Sequence, residues 1–342
     1  MDELLSDEQR QLRDSAARLC RDYGGAKRAQ ALREAGQDID AEAWRAIGEA
    51  GWLGMLVPEA RGGLGLGAVE LYVVLEQAGR HALMTPLLET VAVAWLLGAL
   101  KEPSGAVASL IAGERIIVPA LDADGWSFRQ SAARVPAFAM SATDLLIESS
   151  GALCILPSRN AGMNIIPNVD GSHAATIGAH DDAGIIAHGS EAKSLATKLG
   201  DLLALGSAIE LLGLCESALA LALEHVKTRR QFGQPLGSFQ ALQHRLADNF
   251  VDLELNRSLL YRVCVAWDAG GALPAMIAAA KARAARVASE IMRNTLQLHG
   301  AIGYTDEHDI GILWKHVLAL SARYGNELTQ AARFARLTAD EA

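Results

Sequence analysis

Apolar positions along the 342-residue chain recur with two different periods, and the change of period divides it into three stretches. Over residues 1 to about 112 the spacing is helical. Ser6-Asp7-Glu8-Gln9 opens the first helix as a capping box, and Leu12, Ala16 and Leu19 follow on one face. Trp44, Ile47 and Trp52 are expected in the core of this part. Pro58 and the glycines of 62–67 interrupt the helices, Glu70 to Ala78 resumes the pattern, and Pro86 starts another helix. From about 113 to 190 the apolar runs are short and β-rich, at 114–121, Leu145–Ile147, Leu153–Leu156 and Met163–Ile166. Turn formers separate them: Asp122-Ala123-Asp124-Gly125, Ser149-Ser150-Gly151 and Asp170-Gly171-Ser172. Helical spacing returns at about 191, with Leu202–Val226 long enough for a major bundle helix and three more helices predicted over 239–268, 274–299 and 308–339. The expected fold is mainly α with a small β-domain: an N-terminal helical domain over 1–112, a central antiparallel β-domain over 113–190 and a C-terminal four-helix bundle over 191–342.

Composition narrows the function classes. Hydrophobic residues make up 51% and charged residues 21%, ordinary for a globular enzyme. The net charge of −9 argues against a nucleic-acid surface and against attraction to anionic membranes, while leaving room for a local basic groove built from Arg229, Arg230 and Arg245. Cys20, Cys154, Cys215 and Cys264 are scattered, without a CxxC pair or histidines at ligand spacing, so free thiols are expected and no metal site. The acidic start Met1-Asp2-Glu3-Leu4-Leu5-Ser6 lacks a signal pattern, and no apolar run reads as a membrane span. The expected location is cytoplasmic.

Candidate chemistry sits in loops between helices. Gly63-Leu64-Gly65-Leu66-Gly67 lacks the GxGxxG spacing and has no strand before it, so it reads as a tight interhelical loop rather than a dinucleotide cradle. The segment Thr228–Gln240 pairs Arg229 and Arg230 with a Phe232-Gly233 step. Arg229 and Phe232, three apart, would share one face of a helix end. A guanidinium beside an aromatic ring can clamp a phosphate and cover a flat ring, and it can equally be the cationic cap of a solvated helix end. By themselves Gln297 reads as a polar helix residue and Gly300 as a C-cap glycine. His225, His244 and His299 lie near these segments, where histidines commonly cap helices.

Taken in order along the chain, these blocks resemble the acyl-CoA dehydrogenases, a flavoprotein family. Arg229, Phe232, Gly233 and Gln240 follow its Arg-x-x-Phe-Gly-x-x-x-x-x-x-Gln pattern. Gly51-Trp52-Leu53-Gly54-Met55-Leu56-Val57-Pro58-Glu59 with Gly62 to Gly67, and Gln297-Leu298-His299-Gly300-Ala301-Ile302-Gly303-Tyr304-Thr305 before Glu307, look like its N-terminal and C-terminal landmarks. The resemblance implies FAD as cofactor, an acyl-CoA thioester as substrate, and α,β-dehydrogenation as the reaction. It implies that Arg229, Phe232 and Gln240 contact the FAD of a neighbouring subunit, Arg229 at the pyrophosphate, and that Gln297 to Gly300 cradle the same cofactor. An electron-transfer flavoprotein is the implied acceptor.

Two departures stand out against that resemblance. The family's usual catalytic glutamate falls on Tyr324, and the alternative position on the first bundle helix falls on Leu203, so the catalytic base is unassigned. Glu327 and Glu210, one turn and two turns away, are expected to be surface or structural carboxylates. The β-domain looks shortened and lacks the family's Thr-Glu-Pro-x-(small)-Gly-Ser segment, and Trp126 stands outside the expected context for the tryptophan that covers the flavin. Both departures resemble the short, incomplete chain of bacterial α2β2 heterotetramers that act on bulky CoA thioesters, steroid side chains included. The implied partner is a dehydrogenase-like chain in a homo- or hetero-oligomer. A homo-oligomer with a displaced base and a catalytically incomplete structural or regulatory subunit remain as alternatives.

Overall fold

A computed structural model describes residues 4–102, 104–121, 134–178, 183–271 and 274–339; the turn at 122–125 and Trp126 lie outside the described residues. Six helices come first: α1 (Asp7–Tyr23), α2 (Ala26–Glu34), α3 (Ala41–Glu49), α4 (Ala68–Arg80), α5 (Leu87–Gly98) and α6 (Ala106–Ile111). Ser6 caps α1 as a capping box with Gln9, and Trp44, Ile47 and Trp52 are buried. The loop 62–67 joins helices, as its spacing implied. A Cβ at Gly63 would collide with the Val57 carbonyl, so the tight turn requires glycine there. The α4 N-terminus that follows is occupied by a side chain: Asp268 accepts from the Ala68 and Val69 amides at 2.6 and 3.1 Å.

Among the described residues seven short strands follow: β1 (Ile117–Pro119), β2 (Arg134–Val135), β3 (Asp144–Ser149), β4 (Ala152–Pro157), β5 (Asn164–Pro167), β6 (His173–Thr176) and β7 (Gly184–His188). They form one sheet in the order β1-β3-β4-β7 and another in the order β2-β6-β5. Pairing is antiparallel apart from β1 with β3, which run parallel. The short runs alone carried no information on that direction. Sheet formers at 117–119 and 144–149 look the same whichever way they pair.

The rest is helical: α7 (Gly189–Thr228), the small hairpin β8 (Arg230–Gln231) and β9 (Gln234–Pro235), then α8 (Gln240–Asp268), α9 (Pro274–His299), α10 (Asp309–Ala322) and α11 (Glu327–Ala339). The single helix expected over 308–339 is two. Tyr324 and Gly325 take left-handed backbone, φ +56° and +88°, and Gln330 of α11 donates to the Tyr324 carbonyl at 2.8 Å, holding the turn. The 40-residue α7 is also longer than expected and contains a window apolar enough to cross a membrane, contrary to the sequence reading. That window is 83% buried inside the protein, which is how a central bundle helix meets the same apolarity.

The helices approach one another closely through small residues. A Cβ at Gly79 of α4 would strike the Glu210 carbonyl, and one at Gly213 of α7 would strike the Glu76 carbonyl. Ala278, Ala280, Ala284, Ala285 and Ala288 form the buried side of α9. Gly213→Ala should therefore destabilise the protein by about 1–3 kcal/mol, the usual cost of overpacking, despite alanine's better helix propensity. Urea unfolding should show a lower midpoint with an unchanged slope.

Candidate functional site

The end of α7 builds a basic groove. Arg229 caps α7, and its amide donates to the His225 carbonyl at 2.8 Å. The chain reverses in the β8–β9 hairpin and enters α8, which carries Arg245. The C-terminus of α9 brings up Gln297, Leu298 and His299, and Gly300 follows with φ +69° and open space where a Cβ would stand. These segments enclose about 420 Å³. Arg245 donates from Nη1 to the Gln297 carboxamide at 2.7 Å, which fixes both side chains on the groove wall. No acidic side chain lines the groove, and the Arg229 guanidinium has no carboxylate partner among the described residues. Two arginines beside an open glycine turn suit a phosphate group.

Three of the five sequence-named residues, Arg229, Gln297 and Gly300, meet here. Phe232 and Gln240 do not line this groove. Phe232 sits at the hairpin tip with φ +53°, 87% exposed, its ring edge-on to Phe239 at 6.1 Å. It is outside the helix, so it does not share a helical face with Arg229. Gln240 is the exposed first residue of α8. A groove of about 580 Å³ near Trp95, Lys193 and Trp267 is larger, but it lies by the opposite end of α7, with Lys193 roughly 48 Å from His225 at 1.5 Å per residue.

The position expected of a base is closed. Tyr324 is 1% exposed and donates its hydroxyl to the carboxylate of Glu89 on α5, itself buried. Leu203 is fully buried. Arg323 pairs with Asp170 at 2.6 Å, donates to Ser172 at 2.7 Å, and lies over the Phe138 ring at 5.3 Å. Phe138 and Tyr324 both hold left-handed backbone, at φ +58° and +56°. With Arg134, Asn168 and the end of α10, Arg323 and Tyr324 line a cavity of about 340 Å³.

Burial governs the titration of this cluster. It raises the Glu89 carboxyl and the Tyr324 hydroxyl above their ordinary values, and it pushes Glu210 up to about 8, with the Glu89 charge adding to the effect. Lys281, fully buried with its ammonium donating to the Leu320 carbonyl at 3.1 Å, is lowered to about 7. Glu210 and Glu327 are both half-buried; Glu210 lies on the bundle helix α7 near Glu89 and Lys281, and Glu327 is the first residue of α11.

Residues 6–100 match the profile described as Acyl-CoA dehydrogenase, N-terminal domain, and residues 201–337 match Acyl-CoA dehydrogenase, C-terminal domain. The chain belongs to the acyl-CoA dehydrogenase family. It is 29% identical over 315 residues to acyl-CoA dehydrogenase IpdE2 of Mycobacterium tuberculosis, covering 90% of each chain. Among solved structures it is similar to the Tcur3481-Tcur3483 steroid ACAD G363A variant, at 25% identity and TM-score 0.88, covering 98% of each chain. Two others share the acyl-CoA dehydrogenase fold. The ChsE4-ChsE5 complex from Mycobacterium tuberculosis has 24% identity, TM-score 0.86 and 99% coverage of each chain. PigA with FAD and proline has 19% identity, TM-score 0.85 and 100% coverage of each.

For an acyl-CoA dehydrogenase fold, three groups escaped sequence reasoning: Glu89, His308 and His316. Glu89 is the third residue of α5 after Pro86, where a carboxylate reads as an ordinary first-turn residue. His308 caps α10, accepting from the Ile310 amide at 3.2 Å, and nothing in sequence joins it to His299. His316, in the same buried cluster as Arg323 and Asp170, is pushed down to about 4 by burial, Asp170 partly opposing and Arg323 reinforcing the shift. The unfolded chain therefore takes this proton first. The stability His316 contributes is full above the ordinary value near 6.5 and is lost as pH falls from 6.5 toward 4, by on the order of 2 to 3 kcal/mol. Melting temperatures of wild type and His316→Gln across that window should converge on the acid side.

Proposed function

We propose that this chain is one subunit of a heteromeric, FAD-dependent acyl-CoA dehydrogenase acting on a bulky acyl-CoA. The reading divides it into a helical domain over 1–112, a shortened β-domain over 113–190 and a bundle over 191–342. One contrast carries it: the phosphate-type groove is intact, while the position of the base holds a buried tyrosine bonded to Glu89. The names of similar structures, a steroid ACAD with two designations and a complex of two chains, support a partnered assembly.

The groove fits a diphosphate. It offers the Arg229 guanidinium, an Arg245 held in place by Gln297, and a Gly300 turn without a side chain in the way. Phe232, projecting at the hairpin tip, and Gln240 beside it would reach toward the cofactor of a neighbouring subunit. FAD, when bound, would supply the hydride acceptor for α,β-dehydrogenation of the thioester. The work of this chain is to neutralise phosphate charge, orient the cofactor and exclude water; the partner would supply the carboxylate that takes the α proton. An electron-transfer flavoprotein is the acceptor this reading implies.

Visible absorbance of the chain purified alone and co-purified with a partner tests the proposal. The isolated chain should hold well under one flavin and show no turnover, and co-expression with a dehydrogenase-like chain should restore both. Arg229→Ala in the partnered assembly should weaken flavin retention by about tenfold or more, the value of a lost charge-assisted contact. A fully flavinated, active isolated chain would refute the heteromer. Unchanged flavin content and turnover after Arg229→Ala would point to a structural subunit.

A further inference from the structure

Three histidines from three elements pack ring against ring, tilted by 35° and 55°, beside the two arginines of the groove. His225 of α7 and His299 of α9 have ring centroids 4.5 Å apart, and His299 and His308 are 4.7 Å apart, so His299 is the middle ring. His225 and His299 both line the groove with Arg229 and Arg245. Packing imidazoles next to guanidinium groups is costly whenever a ring is charged, so their gathering here calls for a compensating negative charge.

The central ring has a fixed tautomer. His299 Nδ1 lies 2.7 Å from the Thr295 carbonyl, and a carbonyl only accepts, so Nδ1 carries the hydrogen. Nε2 then holds a lone pair. It is buried and has no hydrogen-bond partner. A buried acceptor without a donor is an energetic liability, and a proton relieves it only when an anion is at hand to accept from the new N–H.

We propose that His299, with His225 and His308 packed on its two sides, takes up a proton when a diphosphate occupies the groove, so that the cluster becomes part of the anion's binding site. This rests on the reading of the groove as the place of the flavin diphosphate. The charged and titratable groups acting on the rings favour neutrality while the groove is empty. Burial, His308 and Arg229 lower His225; burial, His225 and His308 lower His299, against the raising effect of the Thr295 carbonyl. Arg245 approaches from α8, and Glu307 and Asp309 flank His308 in the chain without acting on either ring. A diphosphate brings at least two negative charges to the same wall. It reverses the balance, and the proton on Nε2 turns an unpaired acceptor into a donor.

Calorimetric titration of the full chain with symmetrical dimethyl diphosphate, a pyrophosphate diester with no proton titrating between pH 6 and 8, at pH 7 in one buffer of low and one of high ionisation enthalpy, reads the proton directly. The expected result is a binding enthalpy that differs between buffers by an uptake approaching one proton. The affinity should fall between pH 6 and 8, by up to about tenfold per pH unit for a full proton. His299→Gln should abolish the buffer dependence. Because His299 is buried, His225→Gln serves as a second variant, expected to reduce the uptake while the circular dichroism and melting temperature confirm folding. Arg229→Ala should weaken binding at every pH and leave the uptake in place. Diester binding with equal enthalpy in both buffers and a flat pH profile would overturn the histidine proposal and leave the groove's assignment standing. No diester binding to the folded wild-type chain would overturn the assignment of the groove, and the proton coupling with it.

Discussion

The close crossing of α4 and α7 at Gly79 and Gly213 sets the rest of the structure. Because backbones touch there, the middle of α7 is held at the centre of the bundle, and α9 packs small residues along it. A helix so packed is rigid over 40 residues, so its two functional stretches are fixed relative to each other. The interior stretch carries Leu203 and Glu210 into the buried charge cluster. The exposed end delivers His225 and Arg229 to the groove. Side-chain positions at both places follow from one crossing that tolerates no extra methyl group.

The parts legible in the sequence were local. Helix caps, glycine turns and periodicity located α1, α4, α5, α8 and α9 because each depends on residues within a few positions. The family blocks named Arg229, Gln297 and Gly300, which the fold brings to one groove. What stayed hidden depends on contacts far apart in the chain. The Glu89–Tyr324 bond joins residues 235 positions apart, and the Arg323–Asp170 pair joins residues 153 apart. The break at Tyr324-Gly325 was concealed because a tyrosine in left-handed backbone has no sequence signature, and it persists only because Gln330 and Glu89 hold the residue on both sides. The apolarity of α7 was misjudged in the other direction. A helix enclosed on all sides by protein and one enclosed by lipid call for the same side chains.

The interior cluster also explains why a closed base position can be stable. Glu89 and Arg323 each have partners, the tyrosine hydroxyl on one and Asp170 and Ser172 on the other, although the Arg323 Nε is left unpaired. A lone buried carboxylate is costly, whereas one that accepts from a hydroxyl and senses a nearby guanidinium is tolerated. An open acyl pocket would need those groups to face substrate. Here they face one another, and the space that remains is the small cavity beside Arg323.

Conservation of charge thus divides the molecule into two regimes. In the bundle interior, acid and base occur together: Asp170 is paired with Arg323, and burial favours the neutral forms of Glu89, Glu210 and Lys281. At the end of α7 the groove has basic groups and no acid to match them. An interior that balances its own charge needs nothing from outside, and a groove that does not balance its charge is complete only with an anion in place. That asymmetry is the physical support for the proposed function, in which this chain would contribute at the phosphates of a bound cofactor rather than at the reacting carbons.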